Sequence, residues 1–316
     1  MEHKTIQYVN KPVSQMIFVC ANPAMIQGKR VTKLLDGAFA AGINTFDTAE
    51  NYGASEAVLG QWIKKRKNRD KVVIITKGCH PHGEPRVTPE ALRHDLEQSF
   101  ERLKTDYIDI YMLHRDDPNA DLKAILQVLD EYHKAGKIGA YGGSNWTHQR
   151  IEEINQYAFE GGYTPFSVSS PNFGPARQVD DPWGGGCVSI SGADNEEARK
   201  WYQQNNIPIF AYSCLGRGLF SGKVKTSDLE TTKDKLDKFA IKGYWCEENI
   251  KRLGAIEKIA ADKGYSVAQV TLAWIMQQSF DAYPIVTISD VNRIIENVKA
   301  ADIELTESEL NIIAGI

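Results

Sequence analysis

Short apolar runs alternate along the chain with longer stretches in which apolar residues recur every three or four positions. The runs are Met16–Cys20, Ile43–Phe46, Lys71–Thr76, Tyr107–Leu113, Ile138–Gly142, Phe166–Ser169, Ile207–Ala211 and Ala282–Val286. Their length and continuous apolar character predict strands buried on both faces. The stretches between and after them, Val31–Ala41, Glu56–Arg66, Pro89–Leu103, Leu122–Ala135, His148–Ala158, Asn195–Gln204, Asn249–Lys263 and Val291–Lys299, predict helices. Thr88-Pro89-Glu90 supplies an N-cap hydroxyl followed by proline at the first helical position. Gly42, Gly136 and Gly264 stand where helices must stop in a left-handed conformation.

Strands alternating with helices imply a parallel sheet, and eight such units in 316 residues favour a closed (β/α)8 TIM barrel over an open doubly wound sheet. No Pro/Ser-rich linker divides the chain, so residues 1–316 are read as a single domain. Two segments break the rhythm. Pro171–Ala193, after the sixth strand, is long and rich in Gly and Pro, and Gly222–Trp245, after the seventh, is rich in charge. A further helix is expected over Ser266–Gln278. Loops of this length in a compact domain are usually functional, and in a barrel the loops that follow strands build the active-site face.

Charge narrows the partners. With 37 Lys plus Arg against 41 Asp plus Glu, the net charge of -4 provides no general attraction to nucleic acid or an anionic membrane. No run approaches the roughly 18 apolar residues of a membrane span, and the N-terminus lacks a signal-peptide layout. The five cysteines, Cys20, Cys79, Cys187, Cys214 and Cys246, are odd in number and contain no CxxC pair. They fit reduced thiols, and a cytoplasmic location is expected. Cys79-His80-Pro81-His82 is too crowded for a metal site, so no metal is expected. The basic run Lys64–Arg69 reads as a solvated helix end. The oligomeric state is left open.

The strand ends carry the candidate chemistry. Asp47, Lys77 and His114 each follow a predicted strand, and in a barrel such residues converge on one mouth. Tyr52 lies five residues beyond Asp47, in a loop able to fold over that mouth. Taken singly, the aspartate is a helix cap, the tyrosine turn packing and the lysine a solvated cation; His114 beside Arg115-Asp116-Asp117 is a polar surface loop.

Taken together they are specific. Phe46-Asp47-Thr48-Ala49-Glu50-Asn51-Tyr52-Gly53, then Thr76-Lys77, then Leu113-His114 resembles the catalytic tetrad pattern of the aldo-keto reductases, in particular the bacterial and potassium-channel β-subunit-like branches. The likeness continues through Gly143-Ser144-Asn145, Tyr212–Gly218 and Arg293 with Glu296-Asn297, covering nearly the whole chain. It implies an NAD(P)H-dependent oxidoreductase that reduces small aldehydes or ketones. The chemistry agrees: tyrosine, with a free pKa of ~10, shuttles protons poorly near neutral pH unless a cation lowers it. In this reading Tyr52 is the acid, Lys77 its tuner, Asp47 the anchor of Lys77, and His114 the orienter of the carbonyl oxygen.

The resemblance also implies a cofactor site for NADPH/NADP+, with NADH left open. Ser213, Leu215, Gly216 and Arg217 fall on the phosphates and ribose, Ser144 and Asn145 on the carboxamide, and Arg293, Glu296 and Asn297 at the adenosine end. Tyr212, Gly218, Thr287 and Ser289 complete the set. Gly216–Gly222 is not a dinucleotide fingerprint of the βαβ kind, because its last glycine comes one position late. Two positions depart from the family: Ser169 stands where many members have a nicotinamide-binding Gln, and Thr287-Ile288 replaces a Lys-Ser pair. Asn22 and Trp183 are expected to line the substrate pocket, with Trp146 and Tyr244-Trp245 behind. The competing readings are a slow nicotinamide-binding regulatory scaffold and a sugar isomerase or aldolase barrel.

Overall fold

The computed structural model describes residues 1–316. Strands β1 (His3–Lys4) and β2 (Val13–Ser14) form a small antiparallel hairpin. The next eight, β3 (Ile17–Val19), β4 (Thr45–Asp47), β5 (Val73–Gly78), β6 (Ile108–Leu113), β7 (Ile138–Ser144), β8 (Val168–Ser170), β9 (Ile209–Ala211) and β10 (Ala282–Val286), close a parallel barrel. Each pairs with its neighbour in sequence, and β10 returns to β3 through Ile285 opposite Ile17. The predicted helices stand outside it with small shifts at their ends, among them Ser55–Arg66, Pro89–Leu103 and Val291–Val298. Gly42, Gly136 and Gly264 all adopt positive φ, as helix stops require.

Strand periodicity sorts the side chains. Ile17, Val19, Val73, Ile75, Ile110, Met112, Ala140, Val168 and Phe210 fill the barrel interior, while Phe18, Phe46, Ile74 and Tyr111 pack outward under the helices. Continuing the two-residue period toward the open end puts Asp47, Lys77, His114, Ser144 and Tyr212 on the inward face. β7 and β8 lie so close that a Cβ on Gly142 would sit 1.8 Å from the Val168 carbonyl oxygen.

The hairpin, which leaves too short a periodic signal to be expected from sequence, closes the other end. Ile6, Val9 and Val13 join the interior cluster. Beside them Lys11 at 2.6 Å and Arg69 at 2.8 Å clasp the buried carboxylate of Asp109 on β6. Arg69 is therefore not part of a solvated basic run as expected: its guanidinium is spent on Asp109 and on the Val72 carbonyl, 2.8 Å away. A C-terminal helix, Glu307–Ala314, is also additional to the expected set and opens on a Thr306/Glu309 capping box.

Candidate active site

At the open end the barrel brings the four expected residues together. Lys77, the penultimate residue of β5, donates to Asp47 at 2.5 Å and to the Thr48 carbonyl at 2.9 Å. The pair is almost completely sequestered, with side chains 3% and 2% exposed. Tyr52 folds back over it, its ring centroid 5.3 Å from Lys77 Nζ and 5.6 Å from the His114 ring in an edge-on arrangement. His80 closes the cluster 4.9 Å from His114.

Burial and charge set the protonation of the group. Burial alone would drain the charge from Lys77, but Asp47 overcomes it and holds the ammonium above the ordinary lysine value. Burial pushes the Asp47 carboxyl up, with Lys77 opposing. For Tyr52 burial also comes first and raises the hydroxyl; Lys77 pulls it down without prevailing, and Asp47 works against Lys77. The expected lowering by Lys77 is thus present but outweighed, which leaves Tyr52 a protonated donor at neutral pH. Burial, then the charges of Lys77, His80 and Arg115, hold His114 well below the usual histidine range, so its imidazole is neutral. Its Nδ1 is buried without a hydrogen-bond partner.

The expected cofactor residues form an arc beside this cluster. Asn145, at positive φ, donates to Ser144 Oγ at 3.1 Å and to the His114 carbonyl at 3.3 Å. Its Oδ1 accepts from the Tyr212 hydroxyl at 2.6 Å and from Val188 N at 3.2 Å. Gly216, Arg217 and Gly218 have successive positive φ values of 55°, 51° and 105°, a backbone form that can turn N–H groups toward an anion. Leu215 precedes them, half-buried, and Ser213 is again at positive φ. Thr287, Ser289, Arg293 and Glu296 are exposed around the start of the helix Val291–Val298, with Asn297 half-buried and Asp290 capping the helix. Ser169 is not brought to the mouth. Its hydroxyl shares a 2.8 Å hydrogen bond with Tyr202 on the outer helix, because the inward position of β8 belongs to Val168.

The long loop after β8 lies across the mouth. Trp183 packs edge-on against Tyr212 at 6.1 Å and under the Arg217 guanidinium at 5.2 Å, while Arg217 pairs with Asp237 of the second long loop at 2.7 Å. Trp183 stays 42% exposed, consistent with a pocket wall. Trp146 is no wall: it is fully buried against Phe166, in space that Gly143 leaves open. Tyr244 is buried with its hydroxyl bound to Asn172, and Trp245 lies under Lys233. Asn22 is buried and caps the short helix Pro23–Ile26 through Ala24 N at 2.9 Å. Arg115, which sequence alone places in a surface loop, is half-buried against the same long loop.

Comparison with known proteins agrees with this geometry. The Aldo/keto reductase family model matches residues 23–316. The chain is 30% identical over 286 residues to aldo-keto reductase str7 of Strobilurus tenacellus, covering 88% of this chain and 78% of that one. It is 26% identical over 293 residues to norsolorinic acid reductase B of Aspergillus parasiticus, covering 89% and 72% of the two chains. To the protein tas of Escherichia coli it is 27% identical over 316 aligned positions, covering 89% and 87%. No helix is long and apolar enough to cross a membrane. With the match running over seven of the eight barrel strands and their mouth, the chain belongs to the aldo/keto reductase family of oxidoreductases.

Proposed function

We propose that this protein reduces an aldehyde or ketone to an alcohol with NADPH, Tyr52 donating the proton. The observation that carries the reading is the buried Asp47–Lys77 pair set under the Tyr52 ring and beside a neutral His114. When bound, a reduced nicotinamide supplies the hydride to the carbonyl carbon. The residues suited to hold it are Ser144, Asn145 and Tyr212 at the ring, Ser213–Gly218 at the phosphates, and Thr287, Ser289, Arg293, Glu296 and Asn297 at the adenosine. The partnerless Nδ1 of His114 marks polar capacity in the mouth that the protein leaves unused, which fits a site built around a polar ligand.

The protein's own part is positioning and proton transfer. Neutral His114 has one ring N–H to give, and it orients the carbonyl oxygen and steadies the charge growing there. As the carbonyl π bond breaks, the Tyr52 O–H bond breaks too, and its proton goes to the carbonyl oxygen. Lys77 then faces a tyrosinate, which its held charge stabilises until solvent reprotonates it. A raised Tyr52 pKa keeps the hydroxyl protonated at rest but weakens it as an acid, so the transfer depends on Lys77 stabilising the tyrosinate as it forms.

The test is NADPH oxidation with a panel of carbonyl compounds, repeated for Tyr52→Phe. That variant keeps the ring, folds and binds cofactor, and loses at least ~10² in kcat/KM. Near-normal turnover in well-folded Tyr52→Phe would overturn the assignment of the proton donor. One observation favours the regulatory reading: the Asn145 side chain already makes four hydrogen bonds within the protein, so a carboxamide must displace some of them. Tight NADPH binding with no carbonyl turned over in the panel would decide for it.

A further inference from the structure

The arginines of this protein are mostly neutralised. Arg66, Arg69, Arg86, Arg93, Arg102, Arg150, Arg177, Arg217 and Arg252 each pair with a carboxylate. Arg115 does not, although it is half-buried and follows His114 directly. Its only hydrogen bonds leave through Nη1, to the Gly186 carbonyl at 3.0 Å and to Cys187 Sγ at 3.7 Å. Nε and Nη2 donate to nothing in the protein. Of the nearby acids, Asp116 pairs with Arg150, while Asp181 accepts from the Trp183 and Cys187 amides at 2.8 and 2.9 Å and feels the Arg115 charge without pairing with it. His80 and His114, the other titratable rings on this side, are both held below the usual histidine range. A half-buried guanidinium whose Nε and Nη2 meet no protein acceptor and stay open to solvent, beside two rings kept neutral, has a planar pair of donors free for a ligand.

We propose that Arg115 binds an anionic group of the substrate, and that the substrates are oxo acids: aldehydes or ketones whose chain ends in a carboxylate. The proposal rests on the reductase reading above. The placement suits it. Arg115 reaches Gly186 and Cys187, the adjoining Val188 contacts Asn145, and the Arg115 charge acts on Tyr52 and His114, so the guanidinium stands beside the reaction mouth. Nε and Nη2 form the planar fork that takes a carboxylate through two parallel hydrogen bonds. A substrate held there has its far end fixed while His114, one residue back along the chain, receives the carbonyl oxygen. Tyr52 and Lys77 act on the carbonyl and Arg115 on the other end, which makes Arg115 a specificity determinant.

Kinetics on matched pairs separate this from a structural role. The pairs are ω-oxo acids and n-alkanals of equal chain length, assayed with NADPH for wild type, Arg115→Met and Arg115→Lys. Wild type is expected to favour the oxo acid by at least ~10-fold in kcat/KM, the worth of a hydrogen-bonded charge. In Arg115→Met the ratio of oxo acid to alkanal falls by ~10- to 100-fold, and Arg115→Lys lies between. If Arg115 only tethers the 184–187 loop, both substrates suffer alike, the ratio stays put and the proposal is overturned. A second measurement is independent of turnover: calorimetric titration of the NADP+-loaded protein with glutarate. Binding by wild type that Arg115→Met loses supports the proposal even if no carbonyl is reduced, in which case the reductase reading fails and the anion site stands. Absence of glutarate binding overturns it, whatever the alkanals do. Should Arg115→Met unfold, Arg115→Gln supplies a neutral, polar N–H donor in place of the charged fork, and it is read by the same ratio.

Discussion

Removing one member of the Asp47–Lys77 pair should cost far more than removing both. At 2.5 Å and an effective dielectric of about 20, the attraction is worth about 5–7 kcal/mol. It is offset by withdrawing two charges from water into a site where they are 3% and 2% exposed. The opposing shifts express that balance. Lys77 is raised, so its contribution to stability is full below the ordinary lysine pKa and is lost as pH rises through the still higher folded value. Asp47 is raised too, so the stability tied to its neutral form is full below the ordinary aspartate pKa and is lost as pH rises through the higher folded value. Asp47→Asn therefore leaves an unpaired buried ammonium and is expected to lose about 3–5 kcal/mol, as is Lys77→Met, which strands a carboxylate. The double variant should return to within about 2 kcal/mol of wild type. Urea unfolding near neutral pH measures all four corners of the cycle. A double variant whose loss equals the sum of the singles, within about 0.5 kcal/mol, would refute the coupling. Activity gives a second reading: in Asp47→Asn the main charge opposing burial at Lys77 is gone, so reduction should weaken as pH rises, where wild type stays level.

Two further outcomes are expected. Arg293→Ala should weaken NADPH more than NADH in fluorescence titrations, because this exposed cation near a helix start suits a 2′-phosphate; equal weakening would place it on the shared adenosine instead. Gly142→Ala should cost at least about 3 kcal/mol or prevent folding, since its Cβ meets the Val168 backbone oxygen rather than a side chain that can move. Gly136→Ala, with open space around its Cβ, should lose only about 1–2 kcal/mol for its positive φ, by the same unfolding assay.

The barrel is legible in the chain because each strand is apolar on both faces and each helix has one apolar stripe. The tetrad is legible because its members sit at strand ends. What strand position alone does not reveal is facing. Ser169 follows Val168, and counting by twos from the interior residues would have turned its hydroxyl outward. Trp146 looks like a pocket aromatic until Gly143 is seen to make room for it beneath the loop. The C-terminal helix carried a readable signal in Thr306-x-x-Glu309 ahead of an apolar run. The hairpin did not: strands of two residues have no period to detect. Arg115 could not be told from a solvated arginine, since its neighbour Gly186 lies far along the chain.

The seam between β10 and β3 has a consequence for biogenesis. Pairing Ile17 with Ile285 and Phe18 with Val286 joins the first of the eight barrel strands to be synthesised to the last. Until then β3 waits with one side of its backbone unsatisfied, and each newly made strand becomes the opposite open edge. Closure cannot be shared out among local pieces, so the last rung must pay the largest loop-closing entropy of the fold. During that interval the growing sheet is a ready template for strands of other nascent chains, and slowing translation ahead of residue 282 would lengthen the exposure.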